Sequence, residues 1–216
     1  MIPEKHLSAL SPAARAIFDK WDRFMYSRVR FNMPRSKVHA HAHCERVLLY
    51  ALMLGERIFG DDPEALEALA HAAIFHDTRR RNDYRDRGHG ARAAVYYAQF
   101  AKDHPDELTL HPESTMMMRY HDLNDGLGHR RIAEAFDGAA EERAHRLYAI
   151  FKDADALDRW RLGDLGLDPR FLRTPEAREM TRFSRRVVRD TMNPALLAEI
   201  DRLVRQTMGH HGNTHS

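Results

Sequence analysis

The sequence predicts an all-α fold, and three features of its pattern lead to this prediction. Apolar residues recur at helical spacing in nearly every segment, no segment of useful length alternates with period two, and β-branched residues are sparse. A chain of 216 residues fits one domain with an ordinary core. We therefore expect a single structural domain that is built from helices alone.

The helices can be placed in order along the chain. Ser11 as N-cap and Pro12 at the first helical position predict the start of a helix whose apolar stripe comprises Ile17, Trp21, Phe24 and Met25. The segment KVHAHAHCERVLLYALMLGERIFG predicts a second long helix, which Gly60 ends, and Asp62 with Pro63 begins the next one. Further helices are predicted at about 90–102, 113–121, 130–136, 140–160, 175–191 and 194–208.

Three parts of the predicted domain can be distinguished. Residues 1–36 form an N-terminal helical extension that packs on the core, and residues 37–165 form the core itself. Residues 166–216 supply a C-terminal helical pair and a flexible tail, GHHGNTHS, that contains histidines. The looser segment RLGDLGLDPRFLRTPE is the predicted joint between the core and the C-terminal pair.

The composition excludes several classes of protein. A net charge of +2, from 34 basic and 32 acidic residues, provides no general attraction to duplex nucleic acid. No apolar run approaches the roughly 18 residues of a membrane helix, and the first residues show no export signal, so a cytoplasmic protein is expected. Cys44 is the only cysteine, which excludes an internal disulfide and a cysteine-based zinc site. The composition is compatible with a homo-oligomer.

Helical phase brings ligand-type side chains onto inward faces. His43 shares a stripe with Val47 and Tyr50, and His39 lies on the same stripe, whereas His41 points the other way. A second apolar stripe ends at His76 and Asp77. Late in the chain, Asp155 falls on a buried stripe and Asp153 is predicted to point outward; that stripe comprises Leu147, Ile150, Phe151 and Ala154. Buried carboxylates need partners, and two histidines with two aspartates suit manganese, iron, cobalt, nickel or zinc better than magnesium.

The order of these residues resembles the H…HD…D signature of the HD-domain superfamily of metal-dependent phosphohydrolases. The matching stretches are HCERV, FHD and DADALD, and the resemblance covers roughly Lys37 to Arg161. It implies a helical bundle in which His43, His76, Asp77 and Asp155 are the metal ligands. It also implies that Asp77 bridges to a second metal where one is present, with His89 and His121 as the further ligands; the alternative is that these two histidines are capping residues or support the ligands.

The function that this resemblance implies is hydrolysis of a phosphate ester or anhydride, with a small nucleotide as the expected substrate. One or two divalent metals would activate water, and Asp77 would orient it. His39 is expected to contact the ligand residues and to support them without binding the metal itself. Cationic side chains that follow or flank the ligands are candidates for phosphate contacts, with a solvated loop as the alternative for the first three: Arg79, Arg80, Arg81, Lys152 and Arg159.

Other members of the superfamily limit the substrate that can be inferred. The segment TRRRND lacks the glutamate of the 5′-nucleotidase branch, and the chain lacks both the acidic pair of the alarmone hydrolases and the GYP motif of the cyclic-di-GMP phosphodiesterases. The chain is most similar to small stand-alone bacterial HD hydrolases. Two other functions remain open: an HD-type di-iron oxygenase, which uses the same six ligand positions, and a non-catalytic module that binds a metal or nucleotide.

Overall fold

Helices make up all the regular secondary structure of residues 1–210, the part of the chain that the computed structural model describes. The prediction of an all-α fold is therefore confirmed for these residues. The α-helices are α1 Glu4–Leu7, α2 Pro12–Arg28, α3 His41–Phe59, α4 Pro63–Phe75, α5 His89–Asp103, α6 Pro112–Tyr120, α7 Asp125–Ala135, α8 Gly138–Leu157, α9 Pro175–Glu179, α10 Thr181–Thr191 and α11 Pro194–His210. Short 3-10 helices span Asp158–Leu162 and Pro169–Phe171. The predicted flexible tail lies outside the described residues from position 211 onward.

The helix α3 occupies the centre of the molecule. Every residue from His43 to Gly55 is buried, because α3 packs against α2, α4, α8 and α10 on its different sides. A helix that is apolar on nearly all sides is stable only when other helices cover it. One continuous group of buried apolar side chains extends from Ile2 to Val187 around this helix. The polar first turn of α3 is consequently surrounded by other helix ends.

The predicted helix starts are confirmed by their caps. The side chain of Ser11 accepts a hydrogen bond from the Ala14 amide at 3.2 Å, and that of Asp62 accepts one from the Ala65 amide at 3.0 Å. Proline follows each cap at the first helical position. Gly60, with φ of 64°, ends α3 in a conformation that favours glycine.

Several predicted boundaries were wrong. His39 precedes α3, which begins at His41. The helix predicted at 175–191 is two helices, because the Met180 amide bonds back to Ala177 and Arg178 and interrupts the regular ladder. The helix predicted at 140–160 changes to a 3-10 turn at Asp158. The short α1 was not predicted, and α7 begins at Asp125, five residues earlier than expected.

Candidate metal centre

Five helix ends meet at one place and bring together all six predicted ligand residues. His43 lies in the first turn of α3, and His76 and Asp77 directly follow α4. The remaining three lie at the first residue of α5, just after α6 and in the last turn of α8: His89, His121 and Asp155. Residues at helix ends can converge on one point because the helices themselves diverge from it. The six side chains therefore all come from residues in a helix or directly next to one.

The first group of side chains surrounds the Nε2 atom of His43. His76 Nε2 lies 3.1 Å from it, Asp155 Oδ1 lies 3.3 Å from it and Asp77 Oδ2 lies 3.5 Å from it. The four side chains therefore direct two nitrogens and two oxygens toward a common point. His43, His76 and Asp77 are buried, and the Asp155 side chain is 28% exposed. Solvent therefore reaches this group of side chains from the position of Asp155.

A second group surrounds the other oxygen of Asp77. Its Oδ1 atom lies 3.0 Å from His89 Nε2 and 3.8 Å from His121 Nε2. The two Nε2 atoms are themselves 2.8 Å apart. Asp77 thus presents one oxygen to each group, which is the arrangement a bridging carboxylate requires.

The other ring nitrogen of each histidine fixes its tautomer. His76 Nδ1 lies 2.9 Å from the Ala73 carbonyl oxygen, and His121 Nδ1 lies 2.8 Å from that of Met118. His89 Nδ1 faces the Asp86 carbonyl at 2.6 Å, and His43 Nδ1 faces the Asp158 carboxylate at 2.7 Å. Since all four partners are acceptors, each Nδ1 carries the proton and donates it. In the neutral rings, each Nε2 is left with a lone pair.

These lone pairs point at one another. Two acceptor nitrogens 3.1 Å apart in His43 and His76, and two 2.8 Å apart in His89 and His121, repel unless a proton or a metal cation lies between them. The Asp77 Oδ1 atom is also buried and forms no hydrogen bond. The side chains in both groups therefore fit a cation. Two sets of three could each hold a metal ion: His43, His76 and the partly exposed Asp155; and the buried His76, Asp77 and His121. His89 belongs to neither set.

The pKa values favour the ligand forms of most of these groups. Burial lowers the pKa of His76 to about 3, so its ring is neutral near pH 7. Burial raises the pKa of Asp77 and Asp155, but the neighbouring imidazoles outweigh it and hold both well below the usual value. His121 differs, because the carboxylates around it outweigh burial and raise its pKa. A proton therefore competes with a cation at this ring.

A cleft of about 450 Å³ opens above Asp77, Asp155, His89 and His121. Two of the predicted phosphate contacts, Arg80 and Arg159, line it, as do His39 and Arg161. The Arg80 side chain is held by the Tyr84 carbonyl at 2.6 Å and places Nη1 3.6 Å from Asp77 Oδ1. His39 is buried, with Nδ1 3.0 Å from Asp83 Oδ1, and contributes to the cleft wall.

The structure does not bring the other predicted phosphate contacts to this cleft. The guanidinium of Arg79 lies 3.3 Å from the Tyr96 ring centroid and donates to the Arg30 carbonyl at 2.6 Å. Lys152 Nζ donates to the Leu123 carbonyl at 2.7 Å and pairs with Asp125 Oδ1 at 2.5 Å. Both cations are thus already bonded elsewhere, and Arg81 is an exposed residue that does not line the cleft either.

The prediction that Asp153 points outward was wrong. Its side chain is fully buried and accepts hydrogen bonds from the Arg173 amide at 2.9 Å and the Thr174 amide at 2.8 Å. The segment after the 3-10 turns folds back over this face of α8 and covers it. Helical phase alone could not show this, because the covering residues lie about 20 positions further along the chain.

Asp158 and Arg46 were missed as supporting residues. Asp158 is fully buried, holds His43 Nδ1 and accepts from Arg46 Nε at 2.6 Å and Nη2 at 2.9 Å. Carboxylates that orient a ligating histidine in this way are common behind metal sites. The available signal was spacing, since Asp158 follows Asp155 by three residues and Arg46 follows His43 by three, which puts each on the same helical side.

Comparison of the chain with protein-family models, with curated proteins and with solved structures gives no match. The resemblance to the HD-domain superfamily therefore rests on the sequence motifs HCERV, FHD and DADALD alone. None of the helices in residues 1–210 combines the length and the apolar character needed to cross a membrane.

Proposed function

We propose that this protein is a metal-dependent phosphohydrolase with the site architecture of the HD-domain superfamily. The observation that supports this proposal best is the convergence of four imidazole Nε2 atoms and two carboxylates beside a cleft lined by arginines. Nitrogen and carboxylate ligands in this ratio suit manganese, iron, cobalt, nickel and zinc. The arginines suit a substrate with phosphoryl oxygens.

The six ligand residues would form two metal positions. His43, His76, Asp77 and Asp155 would hold one divalent metal, and His89 and His121 would complete a second position with Asp77 as the bridge. When bound, such a metal would supply a Lewis acid that lowers the pKa of coordinated water to about 7. The buried ring nitrogens are already in the tautomer that ligation requires, so binding costs little reorganisation.

The remaining side chains act on the substrate and on water. Arg80 and Arg159 face the cleft and would bind phosphoryl oxygens, which reduces the negative charge that repels a nucleophile. With only the first metal position filled, the Asp77 Oδ1 atom, which forms no hydrogen bond within the described residues, would accept a hydrogen bond from the attacking water. Asp77 thereby orients the water toward phosphorus. The covering helices exclude bulk solvent from the buried side of the site.

The test is elemental analysis of freshly purified protein, followed by a phosphatase screen with manganese, cobalt, nickel and magnesium. We expect bound transition metal, hydrolysis of at least one class of phosphorylated compound, and loss of both in Asp77→Ala with an unchanged helical circular dichroism spectrum. Asp61→Ala is the matched control, because Asp61 is exposed and far from the ligands in the fold. Full metal occupancy in Asp77→Ala would contradict the assignment, and nucleotide binding without turnover in any metal would favour a sensing module.

One observation also fits the alternative function, an HD-type di-iron oxygenase. All six side chains of the di-iron pattern converge, with Asp77 between the two groups. Two irons per chain together with oxygen consumption would favour an oxygenase. One or two non-iron metals with phosphate release would favour the hydrolase.

A further inference from the structure

Two neighbouring depressions beside the candidate metal centre are lined by arginines, and we call them the first and the second end of the cleft. A depression of about 450 Å³ reaches Arg159 and Arg161, and a second one of about 560 Å³ reaches Arg85 and Arg87. The two share part of their walls, including Arg80, Tyr84 and His89. Arginines therefore line both depressions, which adjoin at His89 of the His-Asp cluster.

Arg161 is the strongest sign that an anion belongs at the first end. Its residue is only 4% exposed, its Nε donates to the Val38 carbonyl at 2.7 Å, and its buried Nη1 has no hydrogen-bond partner. The nearest carboxylate oxygen, Asp158 Oδ2 at 3.7 Å, already accepts from His43 and Arg46. A buried guanidinium with unused donors is costly, and an anionic ligand group would satisfy it.

The second end has exposed cations without acidic partners. Neither Arg85 nor Arg87 forms a side-chain hydrogen bond or ion pair within residues 1–210, although Asp86 lies between them in the chain. Both oxygens of Asp86 accept instead from Arg92 Nη2, at 2.7 and 2.8 Å. In the same wall, Asp122 Oδ2 accepts from the Gly88 amide at 2.7 Å, and Asp122 Oδ1 is buried and forms no hydrogen bond within the described residues. The two guanidinium groups are therefore free to bind a ligand.

We propose that the substrate is an oligophosphate chain of at least three phosphoryl groups, attacked at an internal phosphorus. This inference rests on the proposed phosphohydrolase function and narrows its substrate class. The attacked phosphoryl group lies over the His-Asp cluster, one neighbouring phosphate binds Arg161 and Arg159, and the other binds Arg85 and Arg87. A phosphomonoester has one anionic group and would leave both basic ends unsatisfied.

The reaction balances with water alone. The oxygen of water forms a bond to the internal phosphorus, one bridging P–O bond breaks, and the leaving phosphate takes the electron pair of that bond. One proton is released to solvent. For a nucleoside triphosphate attacked at the β-phosphorus, the new oxygen enters the product that retains this phosphorus, either pyrophosphate or the nucleoside diphosphate.

The experiment uses the full chain reconstituted with manganese and compares ATP with AMP in water enriched in oxygen-18. We expect a higher kcat/KM for ATP, and label in pyrophosphate or ADP but in neither AMP nor orthophosphate. Arg161→Gln should lower kcat/KM for ATP by about tenfold to hundredfold, the usual effect of losing a hydrogen bond to a charged group. Because Arg161 is buried, the exposed double variant Arg85→Gln/Arg87→Gln provides a second test, and Arg170→Gln, paired with Asp168 away from the cleft, is the control.

A binding measurement separates this inference from the proposed function. The affinity of β,γ-imido-ATP is compared with that of AMP by calorimetry in the same proteins. Weaker analogue binding in both cleft variants supports the binding of three phosphoryl groups between the two basic ends. If no phosphate compound is hydrolysed, that binding result stands, and both the hydrolase and the attack at an internal phosphorus are contradicted. Label in AMP, equal affinity for AMP and the analogue, or unchanged affinity in both cleft variants would overturn the inference and leave the hydrolase standing.

Discussion

Asp158 determines how His43 is oriented in the proposed metal centre. It lies 2.7 Å from His43 Nδ1 and is fixed from its other side by Arg46. We expect Asp158→Asn to weaken metal binding by about 10-fold to 100-fold, since the amide no longer selects one tautomer of the ring. A competition titration against a chelator measures this affinity. Asp153→Asn is the control, because Asp153 is a buried carboxylate of α8, five residues before Asp158, with different partners; equal affinities in the two variants would argue against the role of Asp158.

Arg80 lies where it competes with a second cation. Its Nη1 atom is 3.3 Å from His89 Nε2 and 3.6 Å from Asp77 Oδ1. Two positive charges about 4 Å apart repel by about 4 kcal/mol at an effective dielectric constant of 20. We therefore expect Arg80→Gln to bind the second equivalent of metal about tenfold more tightly or better, as measured by elemental analysis after dialysis at graded metal concentrations. Arg79→Gln should not change it, and an unchanged second equivalent in Arg80→Gln would show that the guanidinium does not compete.

His71 makes the stability of the folded chain depend on pH, and this effect does not involve the candidate metal ligands. Burial lowers its pKa from 6.5 to about 4, and its Nδ1 lies 2.9 Å from the Tyr97 hydroxyl. Because the unfolded chain takes up the proton first, folding stability falls as pH decreases from 6.5 to about 4, by about 3 kcal/mol in all. In His71→Asn, which keeps a donor for Tyr97, this loss should be absent.

Urea unfolding of metal-free protein at pH 7.5 and pH 4.5 measures this contribution. The variant should lose about 2–3 kcal/mol less than the parent chain between the two pH values. The contributions of titrating groups remote from His71 cancel in the comparison, and Glu67, whose Oε2 lies 3.6 Å from His71 Nε2, is the carboxylate whose pKa changes together with the substitution. Identical pH slopes would mean that the pKa of His71 is the same in the folded and in the unfolded chain.

At the scale of the helices, Gly90 allows α5 to approach the end of α6. A Cβ atom at this position would lie 2.3 Å from the Met118 carbonyl oxygen and 2.8 Å from His121 Nδ1. We expect Gly90→Ala to displace His121, to destabilise the protein by about 1–3 kcal/mol, and to weaken the second metal position. Gly55→Ala is the matched control, since its Cβ would meet only Leu66 and Leu69 side chains of α4. Metal stoichiometry and thermal unfolding separate the two effects, and full second-site occupancy in Gly90→Ala would contradict the expectation.

Some helix boundaries could be predicted from the sequence, and others could not. Caps such as Ser11 and Asp62 act within three residues, so their helix starts were predicted correctly. The start of α7 was missed because Gly126 and Gly128 weaken the helical pattern. The reason for a glycine at position 128 lies in another helix. A Cβ at Gly128 would lie 2.3 Å from the Tyr148 hydroxyl of α8, so the glycine serves close packing between helices.

At the scale of the whole molecule, periodicity and motif order predicted which residues would meet but not what would surround them. The pairing of Arg46 with Asp158 joins positions 112 residues apart, and the burial of Asp153 depends on a segment that folds back over α8. Arg79 and Lys152 are close in sequence to predicted ligands, yet both bond to groups away from the cleft. Contacts of this range depend on the packing of several helices at once, which no local pattern records.

The metal centre should also stabilise the molecule as a whole. Its six side chains come from α3, α5 and α8 and from the ends of α4 and α6, so the site exists only when these five helices are packed together. A ligand that binds only the folded state stabilises it by about 2.7 kcal/mol at a concentration 100 times its Kd. For a chain of this size, each kcal/mol raises the Tm by about 2–4 °C, which predicts a shift of about 5–10 °C. Thermal unfolding of metal-free protein with and without manganese measures this shift. Magnesium should give a smaller one, since it prefers oxygen ligands, and Asp77→Ala should give none; an equal shift in Asp77→Ala would mean that the metal binds elsewhere.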